Sequence, residues 1–74
     1  MALRGTGDRW LAGEAVPGVS FALHARVEIS AGPHAGALGT IVLLTGLAPE
    51  PGYLVAVGGD RTVRVRQSAL RPGA

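Results

Sequence analysis

Residues 25–30, "ARVEIS", alternate strictly between apolar and polar side chains. Consecutive side chains of a strand point to opposite faces, so this spacing predicts a strand whose buried face carries Ala25, Val27 and Ile29. The later run "LGTIVLLT", residues 38–45, is rich in β-forming residues and apolar on both faces in its middle. Such a run is typical of a central or interface strand.

Three more strands are predicted towards the C-terminus. "GYLVAV", residues 52–57, is followed by Gly58-Gly59-Asp60, which suits a tight hairpin turn. "RTVRVRQ", residues 61–67, returns with Val63 and Val65 on one face, and its other face carries Thr62, Arg64 and Arg66. "SALRP", residues 68–72, predicts a short last strand that closes against the first. The pattern therefore predicts an all-β, five-stranded SH3-like barrel over residues 21–74.

Residues 1–20 show no sustained period, and Pro17-Gly18 ends the segment with a turn signal. We expect a flexible N-terminal arm there. Trp10-Leu11 is its one strongly apolar point, with two interpretations. The favoured one is a loosely ordered tail, and the other is a contact with the barrel or with a neighbouring subunit.

The segment "AGPHAGALGTIV", residues 31–42, predicts the connection between the first two strands. Gly32-Pro33 would make the turn, while Gly36 and Gly39 would allow positive φ or a close backbone approach. Phosphate-cradling glycine loops open a helix, whereas these glycines open a strand. We therefore read them as chain geometry and not as a nucleotide site.

Composition limits the protein class. The chain of 74 residues allows one domain, and with a single Trp, Tyr and Phe its core must be built from aliphatic side chains. It contains no cysteine, which excludes disulfides and thiolate metal sites. No apolar run reaches the roughly 18 residues of a membrane span, and no signal-type block is present. These features predict a soluble, cytoplasmic protein with no membrane partner.

Positive charge is concentrated near the C-terminus. The formal net charge is only +2, but all seven basic residues are arginines. Four of these arginines lie in the last fourteen residues, namely Arg61, Arg64, Arg66 and Arg71. Exposed arginines on a strand either keep that face solvated and unpaired or bind phosphate oxygens with their planar forks. The candidate anion-binding face is made by Thr62, Arg64 and Arg66, supported by Arg61 and Arg71.

Other chemistry-bearing residues do not form a recognisable site. His24 and His34 lack carboxylate or thiolate partners at metal-binding spacing, so no metal is expected. The acidic residues are scattered, and the serines have no evident activating base, so no catalytic residue is predicted. Tyr53 is expected at the barrel rim with its hydroxyl in water.

"VEISAGPHAGALGTIV" resembles the KOW motif of ribosomal proteins and transcription elongation factors. The resemblance covers residues 25–42 and lies in an alternating strand followed by Gly-Pro-x-x-Gly-x-x-Gly-x-Ile. It implies a barrel hairpin whose loop and adjoining strand meet RNA or protein.

Residues 21–71 also resemble the plasmid-borne type II dihydrofolate reductases, with "TGLAPEPGY" and "TVRVRQSAL" as matching blocks. The resemblance implies an arm before a five-stranded SH3-like barrel, and a homotetramer that binds NADPH and dihydrofolate in one central pore. The family's Val-Gln-Ile-Tyr pore strand matches 63–66, and its pore lysine falls near Ile29. On this basis Val65 joins the candidate ligand-binding residues.

The sequence thus supports two functional hypotheses besides a merely solvated face. The first is a small non-catalytic module that needs no cofactor and recognises nucleic acid or another anionic partner through its arginine-bearing strand. The alternative is a divergent type II dihydrofolate reductase-like protein. A homo-oligomer fits both, because "IVLL", residues 41–44, has more apolar surface than one thin barrel covers.

Overall fold

Five antiparallel strands form one sheet in the computed structural model, which describes residues 6–73 and the side chains from Asp8 onwards. In chain order the elements are α1 (Thr6–Leu11), β1 (Arg26–Ile29), β2 (Leu38–Gly46), β3 (Gly52–Gly58), β4 (Arg61–Arg66), a 3₁₀-helix η1 (Gln67–Ala69) and β5 (Leu70–Pro72). Every predicted strand is present to within two residues at each end, so the all-β prediction is confirmed.

The sheet has the order β4-β3-β2-β1-β5. As predicted, β5 pairs with β1, with Ile29 opposite Leu70, and β3 and β4 form a hairpin with Leu54 opposite Arg64. The strands β4 and β5 form the two edges of the sheet. Over the described residues they are not paired by backbone hydrogen bonds, and the chain passes from one to the other through η1. Closure of the sheet into an SH3-like barrel stays a prediction.

The core lies on one face of the sheet, where the inward-facing side chains of the strands pack together. Val27 and Ile29 of β1 are both only 1% exposed, as their spacing predicted. Burial of such a side chain contributes about 1.5–3 kcal/mol. The remaining buried members are Trp10, Ile41, Tyr53, Val55, Val65 and Leu70.

Two glycines of the β1–β2 connection have the roles that the sequence predicted. Gly36 has a φ of 92°, a left-handed conformation that side chains disfavour. Gly39 lies where β2 approaches β3, and a Cβ atom there would be 2.6 Å from the Ala56 carbonyl oxygen. The turn and the strand pairing therefore both depend on glycine.

The N-terminal segment contacts the sheet through Trp10. This ring is 2% exposed and packs in the core, and its Nε1–H donates a hydrogen bond of 2.7 Å to the Phe21 carbonyl oxygen. The structure thus supports the second interpretation, contact with the chain's own sheet, and at Trp10 it differs from the favoured one of a loosely ordered tail. Residues 1–5 of the predicted arm lie outside the described residues, and flexibility of the arm stays a prediction. None of the helices in the described chain is long and apolar enough to span a membrane.

The expectation of a water-exposed Tyr53 hydroxyl is wrong. The residue is 0% exposed, and its hydroxyl donates to Oε1 of Gln67. Phe21 packs edge-on against its ring, with 5.7 Å between centroids. The segment that precedes β1 folds back over the end of the sheet, and this long-range contact is invisible in the local pattern of β3.

Candidate functional site

Arg64 and Arg66 extend from the same face of β4 into solvent, because the strand alternates. Val65 between them is 8% exposed and belongs to the core, and Val63 is half-buried on the same inward side. Residues two apart on a strand are separated by about 6.6 Å along its axis. The predicted face of Thr62, Arg64 and Arg66 is therefore a row of exposed side chains on one edge strand.

The two central arginines have no acidic partner among the described side chains. Arg61, at the hairpin, is also exposed and unpaired in that part of the chain. Arg71 differs, because its Nη2 lies 2.7 Å from Oε2 of Glu28 on the neighbouring strand β1. This hydrogen bond lowers the pKa of the Glu28 carboxyl. Arg71 is thus engaged within the molecule, while Arg64 and Arg66 remain available to a ligand.

A cavity of about 280 Å³ lies beside these arginines. It is lined by Arg64, Val65 and Arg66 and by the turn at residues 31–34. Ile29, which is buried, also borders it. Ser68 and Ala69 of η1 complete the lining. The structure therefore brings together the glycine-rich turn and the arginine strand β4. The two segments lie about thirty residues apart in the sequence, and the sequence did not predict that they share a site.

Hydrogen bonds within the backbone hold the turn and η1 in place beside the cavity. The amide of Gly36 donates to the Ile29 carbonyl at 2.7 Å, which closes the turn at its base. The amide of Ser30 donates to the Ala69 carbonyl at 2.8 Å, which links the turn to η1. The cavity is therefore part of the folded backbone, and a ligand would meet preformed walls.

The carboxylate of Glu50 holds η1 through its middle residue, Ser68. Its Oε1 accepts the Ser68 amide at 2.7 Å, and its Oε2 accepts the Ser68 hydroxyl at 3.1 Å. A negative charge consequently lies near the Ser68 end of the cavity, whereas the guanidinium groups lie at the β4 end. An anion is expected to bind at the arginine end.

Only part of the predicted site lines the cavity. Arg64, Val65 and Arg66 do so, but Arg61, Thr62 and Arg71 do not. His34 and Pro33 line the same cavity as the arginines, although the sequence did not predict them as site residues. The pairing of β1 with β5 is the one signal that could have found them, because it brings the end of β1 next to η1.

The described side chains do not include a group of three histidine, aspartate or glutamate residues that could hold a metal ion. The polar side chains that line the cavity carry two guanidinium groups, one imidazole and one hydroxyl. Such a set can bind an anion and a neutral polar group.

No protein-family model, no curated protein and no solved structure matches this chain. The KOW-like and reductase-like resemblances of the sequence accordingly stay predictions.

Proposed function

We propose that the protein is a small non-catalytic module that binds nucleic acid, with Arg64 and Arg66 as its phosphate contacts. The observation that supports this most is a pair of exposed guanidinium groups on one strand face, with no acidic partner in the described chain, on two residues that line one cavity. Each planar guanidinium can donate two parallel hydrogen bonds to a phosphate.

The spacing of the pair fits a linear polyanion. Two side chains about 6.6 Å apart on a strand can reach successive phosphates of an extended nucleic-acid chain. Only two contacts are strong in this arrangement, so binding is weak and driven by release of counterions. The logarithm of affinity should fall with the logarithm of salt concentration with a slope of about −0.7 for each single-strand phosphate.

Fluorescence anisotropy tests this function with a labelled single-stranded oligonucleotide of about ten nucleotides, within the range of sites on small β domains. The double variant Arg64→Gln, Arg66→Gln should lose most of the affinity and about 1.4 of the salt slope. Arg26→Gln is the matched control, because Arg26 is also exposed but lines a different cavity. An equal loss of affinity in the double variant and in Arg26→Gln would contradict the assignment of Arg64 and Arg66 as the phosphate contacts.

A polyglutamate of similar length distinguishes nucleic acid from other anionic partners. Carboxylates offer the same charge without the phosphate geometry, so polyglutamate should compete poorly for the site. Competition as effective as that of unlabelled oligonucleotide would point to an acidic protein partner and would overturn the nucleic-acid proposal.

The reductase alternative requires a site built from several copies of the chain. The cavity of about 280 Å³ in one copy is smaller than the roughly 300–1,000 Å³ of sites that hold one drug-sized ligand, and that reaction needs two ligands side by side. NADPH-dependent consumption of dihydrofolate by a tetramer, measured by absorbance and light scattering, would favour the alternative. A monomer without turnover would remove it.

A further inference from the structure

We infer that the outer edge of β4 pairs with an extended acidic peptide, which then displaces nucleic acid from Arg64 and Arg66. The displacement rests on the proposed function, whereas the pairing follows from the backbone of β4 itself. The inference adds a protein partner and a way to regulate the same site.

The hydrogen-bonding pattern between β3 and β4 shows which backbone groups face outwards. Gln67 follows β4, and its amide donates to the Pro51 carbonyl at 2.8 Å. This pair continues the register in which Tyr53 lies opposite Val65. Hydrogen-bonded and non-bonded pairs alternate along an antiparallel ladder. Val65 is therefore bonded to Tyr53, whereas Arg66, between Val65 and Gln67, has its N–H and C=O directed away from β3.

The same alternation extends to the start of the strand. Val63 bonds to β3, and the backbone groups of Thr62 and Arg64 point outwards with those of Arg66. Within the described chain, β3 is the only strand paired with β4, and no backbone hydrogen bond from outside the sheet reaches these three residues. The cavity of about 280 Å³ is lined by Arg64, Val65 and Arg66 and by no residue of β3. The outer edge of β4 thus presents free amides and carbonyls, with open space next to its second half.

The opposite edge of the sheet, β5, offers no such site. The amide of Ser30 donates to the Ala69 carbonyl at 2.8 Å, so the outward positions of β5 are Leu70 and Pro72. The Leu70 amide donates to the Gln67 carbonyl, and proline has no amide hydrogen. Of the two edges of the described sheet, only β4 therefore offers free amide donors to a partner strand.

Charge decides the kind of strand that fits. Side chains directly opposite each other on paired strands have Cβ atoms about 4.5–5.5 Å apart, where opposite charges attract and like charges destabilise. Arg64 and Arg66 are exposed and have no acidic partner among the described side chains. Such charges disfavour an ordinary strand at an edge, but glutamates at alternate positions of the partner would neutralise them. Polyglutamate lacks β-forming residues between its charges, so it does not test this pairing.

Peptide and nucleic acid exclude each other because both need the same guanidinium groups. A carboxylate opposite Arg64 takes the donors that a phosphate would use. In strand addition, main-chain hydrogen bonds supply the affinity and the side chains supply the specificity. A protein segment with alternating acidic and β-branched residues would therefore release nucleic acid from the module.

The test uses the peptide Thr-Val-Glu-Val-Glu-Val-Thr with blocked ends. Its control carries N-methyl groups on the two glutamate amides, which removes their donors and leaves the charge unchanged. The peptide should displace a labelled oligonucleotide in fluorescence anisotropy, and the control should be weaker by about fivefold or more. A peptide with lysine in place of glutamate should not compete.

Amide hydrogen exchange, followed by NMR, reads the edge directly. In the free protein, exchange should be fast at Thr62, Arg64 and Arg66 and slow at Val63 and Val65. The acidic peptide should slow exchange at the first three residues. Slow exchange at all five residues in the free protein, together with a dimer by light scattering, would show that a second copy occupies the edge and would overturn the inference.

The remaining outcomes separate this inference from the proposed function. Equal competition by the peptide and its N-methylated control would overturn strand pairing, while nucleic-acid binding stands. Protection of the three amides without release of the oligonucleotide would overturn the shared site. If wild-type protein bound no oligonucleotide but the peptide still protected these amides, the proposed function would fall and the pairing would stand.

Discussion

The hydroxyl of Tyr53 donates a hydrogen bond to the side-chain oxygen of Gln67, and this pair connects the core to the N-terminal segment. The same oxygen accepts the Ser20 amide at 2.9 Å, and Nε2 of Gln67 donates to the Gly18 carbonyl at 3.0 Å. One glutamine therefore satisfies a buried phenol and holds the chain that covers it. Gln67 also follows Arg66 directly, so the clamp lies next to the candidate site.

Replacement of Gln67 by alanine should destabilise the protein by about 1–3 kcal/mol, because the buried Tyr53 hydroxyl loses the acceptor of its proton. The segment at residues 11–20 should also become more sensitive to protease, since two of its hydrogen bonds disappear. Urea unfolding followed by circular dichroism measures the first effect. Thr62→Ala is the control, because Thr62 is exposed, and should change stability by less than about 0.5 kcal/mol. A Gln67→Ala protein as stable as this control would contradict the clamp.

Stability should fall in alkaline solution because of Tyr53. Burial raises the pKa of its phenol above the ordinary value of 10.0, and hydrogen bonds from the backbone of Phe21 and Ser20 offset only part of this rise. The unfolded chain then ionises first as the pH increases. The contribution of Tyr53 is fully present below pH 10.0 and is lost as the pH rises through the higher folded-state pKa.

The chain suits this measurement, since it has one tyrosine and no lysine or cysteine. Phenolate absorbance reports the ionisation of Tyr53, and urea unfolding at several pH values reports the free energy of unfolding. In Tyr53→Phe the alkaline loss of stability should be much smaller. An equally steep loss in this variant would show that another group is responsible.

Gly39 and Gly46 give a matched pair for the strand contact. A Cβ at Gly39 would lie 2.6 Å from both the Ala56 oxygen and a methyl carbon of Val55, whereas a Cβ at Gly46 meets nothing within 4 Å. Gly39→Ala should therefore reduce the free energy of unfolding by about 1–3 kcal/mol or more through overpacking. Gly46→Ala should be neutral or stabilising by up to about 1 kcal/mol. Equal effects, measured by urea unfolding, would contradict the close approach of β2 to β3.

Most of the fold could be predicted from the alternation of apolar and polar residues along the strands. Alternation in residues 25–30 and 61–67 placed Val27, Ile29 and Val65 in the core because the period of two directly sets which side chains face inward. The same period placed Arg64 and Arg66 on the solvent side. These properties are local, so a single sequence is sufficient to predict them.

The remaining features depend on contacts between distant segments. Gln67 and Ser20 are 47 residues apart, and no local pattern indicates that a glutamine amide will bind the segment before β1. The cavity has the same origin, because His34 and Arg66 line one cavity only after β5 has paired with β1. The alternation of side chains shows which residues of a strand face the core. The order of the strands in the sheet decides which loops become neighbours, and a local pattern does not reveal that order.

The ion pair of Glu28 with Arg71 provides a test of whether nucleic-acid binding depends on the position of particular arginines or on the total charge of the protein. Glu28→Gln removes the partner of Arg71 and raises the formal net charge by one, from +2 to +3. If long-range attraction by the whole protein governed nucleic-acid binding, this variant should bind an oligonucleotide more tightly, and the effect should weaken with salt. We expect its affinity to stay within about twofold of wild type and the salt slope to stay unchanged, because Arg64 and Arg66 make the phosphate contacts.

Stability of the Glu28→Gln variant should change little, since an exposed ion pair contributes little to folding. A clear gain in affinity that weakens with salt, measured by anisotropy alongside the Arg64→Gln, Arg66→Gln protein, would show that total charge governs binding and would contradict the assignment to Arg64 and Arg66.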